Sequence, residues 1–353
     1  MYMKSMLRFS ACLILMIAIA KAAGPVGYLY SAFTGDGEDG LHLLSSRDGL
    51  TWKSVKDYQC IYKQSEGLMR DPSICHGGDG MYHLVWTTGW WNDTIGIAHS
   101  KDLISWTPSE FLHVWADYRG PGGETADAKR WPADLTKVAP RHPKVRNCWA
   151  PEIFFDDATQ EYVIFWATTI DDPGVFPKTW NAHRWERMNQ RIYAITSKDF
   201  KTYTPRRPFY APADRVVIDA CIAKTAPGKY RLVIKDENAQ RLHVCQQTQP
   251  LTTWAAMPAD FWGPMSKNAF TGPGIKPDDT QAEGPSVLRI GDQWLVYCDY
   301  WAAKHNGLFI TTDFSTLNRA NECFKAPVWV RHGTAFAVPL TTLDALESLS
   351  AKH

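Results

Sequence analysis

Acidic side chains recur in four short phrases of the sequence, each at the start of a strand-like run of residues. The phrases are Arg70-Asp71-Pro72-Ser73, Trp149-Ala150-Pro151-Glu152, Ile218-Asp219-Ala220 and Glu283-Gly284-Pro285-Ser286. Their recurrence predicts an acid at the same structural place in four successive units, directed toward one axis. Carboxyl groups gathered in this way repel one another and raise one another's pKa values, which lowers stability and favours proton transfer.

Two carboxyl groups on either side of a bond are the requirement of glycoside hydrolysis, where one donates a proton and the other activates water. Metal-dependent hydrolysis would need several histidines with the acids, and the sequence has no His pair at ligand spacing. The 16 tryptophans are consistent with a carbohydrate substrate, because flat aromatic faces suit sugar rings. Trp90 and Trp91, at the exit of a strand, are the leading candidates, followed by Trp149. An oligosaccharide or polysaccharide is the expected partner.

The acidic phrases belong to a longer repeat. A turn phrase follows strand-like runs at Ser46-Arg47-Asp48, Ser100-Lys101-Asp102 and Ser197-Lys198-Asp199, with weaker echoes at Gln249-Pro250 and Thr312-Asp313. With its flanking runs it defines a unit of four antiparallel strands that occurs five times. This pattern predicts an all-β fold, a five-bladed β-propeller with four-stranded blades around a central funnel.

The two chain ends are expected to share one blade. The first unit lacks its innermost strand, and the segment Thr334–Val338 can supply it. We therefore expect one catalytic propeller over residues 23–340 and a short helix or tail over residues 341–353, where leucines recur at helical spacing. Three long segments interrupt the repeat and are expected on the rim of the funnel, at Asp117–Asn147, Asp171–Asn189 and Ala259–Ala282.

The N-terminus predicts export. Lys4 and Arg8 precede an apolar run from Phe9 to Ala20, and Ala20-Lys21-Ala22 is typical of a signal-peptide cleavage site, so residues 1–22 are expected to be removed. The run is too short to span a bilayer, so no membrane association is expected. The formal net charge of +1 argues against a nucleic-acid partner. A secreted or periplasmic protein is the prediction.

The four acidic phrases resemble the blade signatures of glycoside hydrolase family 43 and its relatives, and the turn Ser100–Trp106 is similar to that family's turn. The resemblance runs from about Tyr28 to Val338. It implies a five-bladed propeller, an inverting mechanism, and arabinosides, xylosides or galactosides as substrates.

The resemblance also implies roles for single residues. Asp71 matches the general base, Glu283 the general acid, and Asp219 the acid that orients the proton donor and modulates its pKa. Arg331-His332-Gly333-Thr334 resembles the stretch whose histidine helps to hold a calcium ion in the central channel, so His332 is a candidate metal ligand. No organic cofactor is expected.

Three further residues are candidate sugar contacts. Glu152 falls where the family signature varies and is interpreted as a substrate contact or structural group. Lys235 and Asp299 end inner strands, from where they could bind sugar hydroxyls.

Three alternatives stay open on the sequence alone. Retaining sucrose- and fructan-cleaving propellers use similar acids, but their usual Asn-Asp-Pro-Asn-Gly motif and trailing β-sandwich are not found in this sequence. Agar hydrolases that release anhydro-galactose are similar in propeller and acids, but typically carry an N-terminal helical extension that is not evident in this chain. A non-catalytic sugar-binding propeller would tolerate the loss of Asp71 or Glu283, and both are present.

Overall fold

The computed structural model describes residues 26–138, 144–172, 174–175, 179–180, 187–267 and 281–350. The predicted signal peptide and parts of the three long loops lie outside these ranges. Within them, no helix combines the length and apolar character needed to cross a membrane.

Five four-stranded antiparallel sheets surround a central axis, which confirms the predicted propeller. From the axis outward, blade 1 consists of the strands Ala335–Pro339, Val26–Ala32, His42–Ser46 and Lys53–Ser54. In the same direction, blade 2 consists of Arg70–His76, Tyr82–Thr87, Ile95–Ser100 and Glu110–Leu112. Blade 3 consists of Trp149–Asp156, Glu161–Thr168, Arg191–Ser197 and Arg207–Tyr210. Blade 4 consists of Val217–Ala226, Lys229–Asp236, Arg241–Gln247 and Trp262–Met265. Blade 5 consists of Ala282–Ile290, Gln293–Tyr300, His305–Thr311 and Asn318–Arg319.

Smaller elements connect or follow the blades. A small two-stranded antiparallel sheet pairs Thr179–Trp180 with Arg187–Met188, and short helical turns occupy Val55–Tyr58 and Asn321–Cys323. The helix Leu340–Glu347 follows the last strand and buries Leu343 and Leu346, two of the leucines that recur at helical spacing.

The chain ends close the ring as the sequence predicts. Ala335–Pro339 pairs antiparallel with Val26–Ala32, in a register that sets Tyr30 opposite Ala335 and Val26 opposite Pro339. The C-terminal strand is therefore the innermost strand of the blade that the N-terminal segment begins. Closure by hydrogen bonds between the first and last strands leaves the ring without an open edge between blades.

Apolar side chains between neighbouring blades form the core. Eight tryptophans are buried in it, namely Trp52, Trp86, Trp115, Trp149, Trp166, Trp254, Trp262 and Trp294. Each aromatic side chain of this kind removes about 150–250 Å² from water, so much of the indole content serves stability. Among the described tryptophans, Trp90 and Trp301 are the exposed ones.

The repeated turn phrase has one geometry in four blades. In the second blade the Ser100 hydroxyl accepts the backbone N–H of Leu103, and Asp102 Oδ1 accepts those of Ile104 and Ser105. The same bonds recur at Ser46 with Asp48, at Ser197 with Asp199 and at Thr311 with Asp313. The residue after each aspartate has a positive φ, for example 65° at Leu103. A short polar side chain that caps free N–H groups stabilises such a turn.

Candidate active site

A distortion at the same place in four inner strands aims the acidic side chains. Asp71, Ala150, Asp219 and Gly284 have φ values of 49°, 45°, 49° and 59°, and the strand register shifts beside each of them. For a residue with a Cβ this conformation costs about 1–2 kcal/mol, so the surrounding structure must hold it in place. Each of these four inner strands, in blades 2–5, therefore enters its blade through a strained bulge at the pore mouth.

The bulges correct one sequence expectation. The prediction of an acid at one equivalent position in four blades is wrong in detail, because only Asp71 and Asp219 occupy the same bulge position. Glu283 lies one residue before its bulge residue, and Glu152 lies two residues after its own. Ala150 and Gly284 fill the bulge positions of the other two strands. The acidic residues of the four phrases therefore do not share one structural position.

The structure brings the three predicted catalytic acids together in one pocket. Asp71, Asp219 and Glu283 line a cavity of about 200 Å³ at the pore mouth, together with His332. Trp90, Trp149 and Trp301 form its aromatic part, and Arg70, Gln240 and Arg331 contribute polar side chains. The predicted convergence of carboxyl groups on one funnel is thus present.

Asp71 is held by a neutral hydrogen-bond chain. Thr87 Oγ1 donates to Asp71 Oδ2 at 2.8 Å and itself accepts the backbone N–H of Ala150 at 2.8 Å. On the other side, Asp71 Oδ1 lies 3.8 Å from His332 Nδ1. One carboxylate oxygen is therefore fixed through this chain to blade 3, while the other faces the imidazole and the pocket.

Asp219 is buried between the other acids. Its Oδ2 accepts the backbone N–H of Gly284 at 3.0 Å and lies 3.8 Å from His332 Nδ1. Burial raises the pKa of Asp219 to about 6; the charge of Glu283 acts in the same direction, while His332 and Lys235 oppose it. Asp219 therefore changes protonation state near neutral pH, directly beside the peptide bond that follows Glu283.

Glu283 has a cationic partner. Lys235 Nζ lies 2.9 Å from Glu283 Oε2 and 3.1 Å from Glu237 Oε2, and the lysine side chain is fully buried. Burial alone would lower the pKa of Lys235, but Glu237, Glu283 and Asp219 raise it overall. Lys235 is therefore an ammonium ion behind Glu283, which stabilises the ionised form of that carboxyl. It does not line the pocket, so its predicted contact with sugar hydroxyls stays a prediction.

Asp299 lies opposite Glu283 on the next strand of blade 5. It is buried, and neither carboxyl oxygen has a hydrogen-bond partner among the described residues. Arg331 Nε is 3.9 Å from Asp299 Oδ2, and another nitrogen of the same guanidinium is 3.9 Å from Glu283 Oε1. Burial, followed by the charge of Glu283, raises the pKa of Asp299 well above its usual range. Asp299 is not part of the pocket lining, so its predicted contact with sugar hydroxyls stays a prediction.

Glu152 is buried beside His332. Ser73 Oγ donates to its Oε2 at 2.6 Å, and His332 Nε2 lies 4.0 Å from its Oε1. Burial raises the pKa of Glu152 to about 7, although His332, Ser73 and Thr334 act in the opposite direction. Glu152 is not part of the pocket lining, and its role as a sugar contact also stays a prediction.

The arrangement around His332 does not fit a calcium ion. Its imidazole stands between the carboxyl groups of Asp71, Asp219 and Glu152 at 3.8–4.0 Å, which is ion-pair distance rather than a shared oxygen cage. In the part of the chain that the structure describes, no group of three or more His, Cys, Asp and Glu side chains is placed to hold a metal ion. Burial would lower the pKa of His332, but Asp219, Asp71 and Glu152 raise it overall.

The three predicted tryptophans occupy different positions at the pocket. Trp90 is 38% exposed, and its backbone carbonyl accepts the indole N–H of Trp149 at 2.7 Å. Trp91 packs on the Trp149 ring at 5.5 Å between centroids and does not line the pocket. The guanidinium of Arg70 lies over the Trp90 ring, 4.0 Å from its centre.

Trp301, also 38% exposed, was not predicted from the sequence. It follows the end of Gln293–Tyr300 just as Trp90 follows the end of Tyr82–Thr87. The rule that pointed to Trp90 would therefore have found it. Gln240, which donates to Glu237 at 2.5 Å, gave no comparable signal.

Solved structures of similar fold include several sugar-cleaving enzymes. An α-L-arabinofuranosidase from Lactobacillus brevis is 16% identical, with 72% of each chain covered and a TM-score of 0.45. A xylan β-1,4-xylosidase from Bacillus halodurans C-125 is 15% identical, over 73% of this chain and 43% of that one, with a TM-score of 0.46. An endo-arabinase from Bacteroides thetaiotaomicron VPI-5482 is 15% identical, over 73% and 81%, with a TM-score of 0.42. Likeness at this level says nothing about substrate. No curated protein matches the sequence.

Residues 24–344 match a family model related to glycosyl hydrolase family 43 and described as a "probable glycosyl hydrolase domain". The match spans all five blades and every residue of the pocket. The chain therefore belongs to this glycosyl hydrolase family.

Proposed function

We propose that this glycoside hydrolase cleaves an arabinofuranoside, xyloside or galactoside by an inverting single displacement, with Asp71 as general base and Glu283 as general acid. The observation that carries the proposal is the meeting of Asp71, Asp219 and Glu283 in one pocket whose rim bears exposed indole rings. Flat aromatic walls suit a sugar ring, and paired carboxyl groups suit the two proton transfers of its hydrolysis.

In the proposed cycle, ionised Asp71 takes a proton from a water molecule while the water oxygen attacks the anomeric carbon. Glu283 donates its proton to the glycosidic oxygen as the bond between that oxygen and the anomeric carbon breaks. The products are the free sugar with inverted configuration and the released alcohol, with Asp71 protonated and Glu283 ionised. Room for the water requires a carboxyl separation of about 6.5–9.5 Å.

The proton on Glu283 is the demanding part of this cycle. Lys235 opposes protonation of Glu283, whereas the carboxyl groups of Asp219 and Asp299 favour it when they are charged. Glu237 shares the ammonium group of Lys235 and so weakens its effect on Glu283. Asp219 acts as the modulating acid in this scheme, since it accepts the N–H of Gly284 next to Glu283.

We further propose that residues 1–22 direct export, which supplies the enzyme to polysaccharides outside the cytoplasm. Support comes from the basic start, the twelve-residue apolar run and the small residues before position 23. N-terminal sequencing of the exported protein checks this; a mature chain that still starts at Met1 contradicts it.

The central test is a stereochemical one. The wild-type protein is assayed on aryl arabinofuranosides, xylosides and galactosides, and the product of the best substrate is followed by proton NMR before mutarotation. Inversion of the anomeric centre is expected. Retention would contradict the proposed mechanism and favour the type of propeller that cleaves fructans.

Variants assign the two roles. Asp71→Asn and Glu283→Gln are each expected to lower kcat by at least about 10³-fold, since each removes one proton transfer while the shape is kept. Asp102→Asn, the same kind of change in an outer turn, serves as the matched control and keeps wild-type kcat. A near-normal rate in either site variant would remove the assignment.

A further inference from the structure

A second cavity lies beside the catalytic pocket on blade 5. It has a volume of about 560 Å³ and is walled by residues 304–306 on one side and residues 319–329 on the other. Both walls continue into the catalytic pocket, because Trp301 precedes the first segment and Arg331 and His332 follow the second. The two cavities are therefore successive openings between the same pair of chain segments.

Strand pairing puts both cavities at the same end of the blade. Ala282 pairs with Tyr300, and Tyr300 pairs with His305, so Glu283 and the start of the third strand lie at one edge of the sheet. His305 and Asn306, which line the second cavity, therefore lie at the edge of the sheet that carries Glu283.

A fixed bridge separates the two openings. Asn306 Nδ2 donates to the Val330 carbonyl at 2.6 Å, and the Val330 N–H donates to Asn306 Oδ1 at 3.1 Å. The neighbours of Val330 point to different cavities, since Trp329 lines the second and Arg331 the first. The Arg331 guanidinium lies 5.3 Å from the Trp329 ring centre, so one aromatic and one cation link the two sites across the bridge.

The lining suits a sugar ring and lacks cleavage chemistry. Phe324, Pro327 and Trp329 supply apolar faces, and Lys304 is an exposed donor. Apolar surface with a few polar groups at its edge is the usual composition of a small-ligand site. Of the described residues in this lining, Glu322 is the one acid, and its carboxylate is 3.3 Å from Arg319. A single paired carboxylate does not meet the two-acid requirement of hydrolysis.

We infer that this groove, walled by residues 304–306 and 319–329, binds a further unit of the same polysaccharide whose bond is cut at Asp71 and Glu283. The inference rests on the proposed function, and it adds a substrate class: a chain longer than the unit held in the catalytic pocket. The preformed bridge at Asn306 keeps the groove and the pocket at a constant spacing. A polymer therefore gains contacts that an aryl glycoside cannot reach.

The test uses two variants of the full chain. Pro327→Arg places a long side chain in the groove from an exposed position, and Lys304→Ala removes the exposed donor. Affinity electrophoresis in gels containing arabinan, xylan or galactan measures binding without any need for turnover. Wild type is expected to be retarded by one polymer, and Pro327→Arg is expected to bind it about tenfold more weakly, with Lys304→Ala in between.

Kinetics separate this inference from the function on which it rests. For Pro327→Arg, kcat/KM on the polymer should fall about tenfold while kcat/KM on the aryl glycoside stays at the wild-type value. Equal binding and equal polymer turnover in all three proteins would overturn the inference, as would an equal loss on both substrates. Failure of the proposed function has a different signature: retardation by a polymer without hydrolysis of any glycoside.

Discussion

The acids at the pore mouth and the acids in the outer turns place the same side chain in opposite surroundings. At the mouth, Asp219 is buried, accepts one backbone N–H, and has its pKa raised to about 6 by burial. In the turn of blade 2, Asp102 is exposed and accepts the N–H groups of Ile104 and Ser105. Slight burial acts against it, but those hydrogen bonds lower the pKa of Asp102 overall.

The comparison shows how surroundings separate an exposed turn carboxylate from a buried carboxyl group at the pore mouth. Water and backbone donors stabilise the charge in the turns, so those acids stay ionised and hold the loop. At the mouth, burial raises the pKa of Asp219 to about 6 and that of Glu152 to about 7, so these two carboxyl groups hold their protons closer to neutral pH. The residue type alone does not distinguish the two sets, because aspartates at the ends of strands occur in both.

Replacing Lys235 tests most directly how neighbouring charges set the protonation of an acid at the pore mouth. Lys235→Met removes the ammonium group 2.9 Å from Glu283 Oε2. Because that cation favours ionised Glu283, the alkaline limb of the kcat/KM profile should move to higher pH. Glu237 and Glu283 lose their shared partner, and an uncompensated buried charge lowers stability by about 3–5 kcal/mol. The pH–rate profile and the free energy of unfolding together check both effects.

Lys224→Met is the matched control for this change. Lys224 forms an ion pair with Asp156 and lies outside the catalytic pocket. It should lose stability without any displacement of the alkaline limb. An unchanged limb in Lys235→Met would contradict the expected effect of this lysine on the protonation of Glu283.

Glu152 should make stability depend on pH in the opposite sense to a turn acid. Burial raises its pKa from 4.5 to about 7, so the folded state keeps the proton that the unfolded chain releases. Its contribution to stability is complete below about pH 4.5 and is lost as the pH rises to about 7, by up to about 3 kcal/mol. Glu152→Gln cannot ionise and should escape this loss.

Thermal unfolding of both proteins from pH 4.5 to 7.5 measures the difference. Asp219 titrates nearby in both, and His332 faces both acids, so the difference between the two curves is the quantity to compare. Wild type should fall relative to Glu152→Gln across the window. Parallel curves would show that Glu152 is ionised throughout.

Much of the fold could be predicted because its signals are local and repeated. The Ser-x-Asp turn fixes a hydrogen-bond pattern within six residues, as Ser100 to Ser105 illustrates, and it recurs often enough to count blades. The closure of the ring by Thr334–Val338 could be predicted by counting strands, because the first unit has three strands and lacks its innermost one. The convergence of Asp71, Asp219 and Glu283 then followed from the fold.

The surroundings of those acids could not be predicted in the same way. Lys235 contacts Glu283 from a different blade, and Arg331 lies near Asp299 from the segment that precedes the closing strand Ala335–Pro339. Such contacts depend on how far each side chain extends toward the propeller axis. The alternation of inward and outward residues along a strand does not specify that distance. The bulges at Asp71 and Ala150 also shift side chains by a residue, and backbone strain of this kind leaves no clear trace in the sequence. The different positions of Trp90, Trp91 and Trp149 at the pocket were not predictable for the same reason.

The smallest effect is expected in the outer turn. Asp102→Ala removes the acceptor for the N–H groups of Ile104 and Ser105 and should lower the free energy of unfolding by about 1 kcal/mol. Activity should be unchanged, because this turn lies outside the catalytic pocket. Chemical denaturation at pH 7 measures the loss, and Lys101→Ala, an exposed change in the same turn, is the control. Since the pKa of Asp102 is lowered in the folded state, its contribution is complete above the ordinary pKa and is lost as the pH falls through the lowered one. Wild type and Asp102→Ala should therefore converge in acid, whereas a difference that persists there would assign the turn's stability to packing instead of charge.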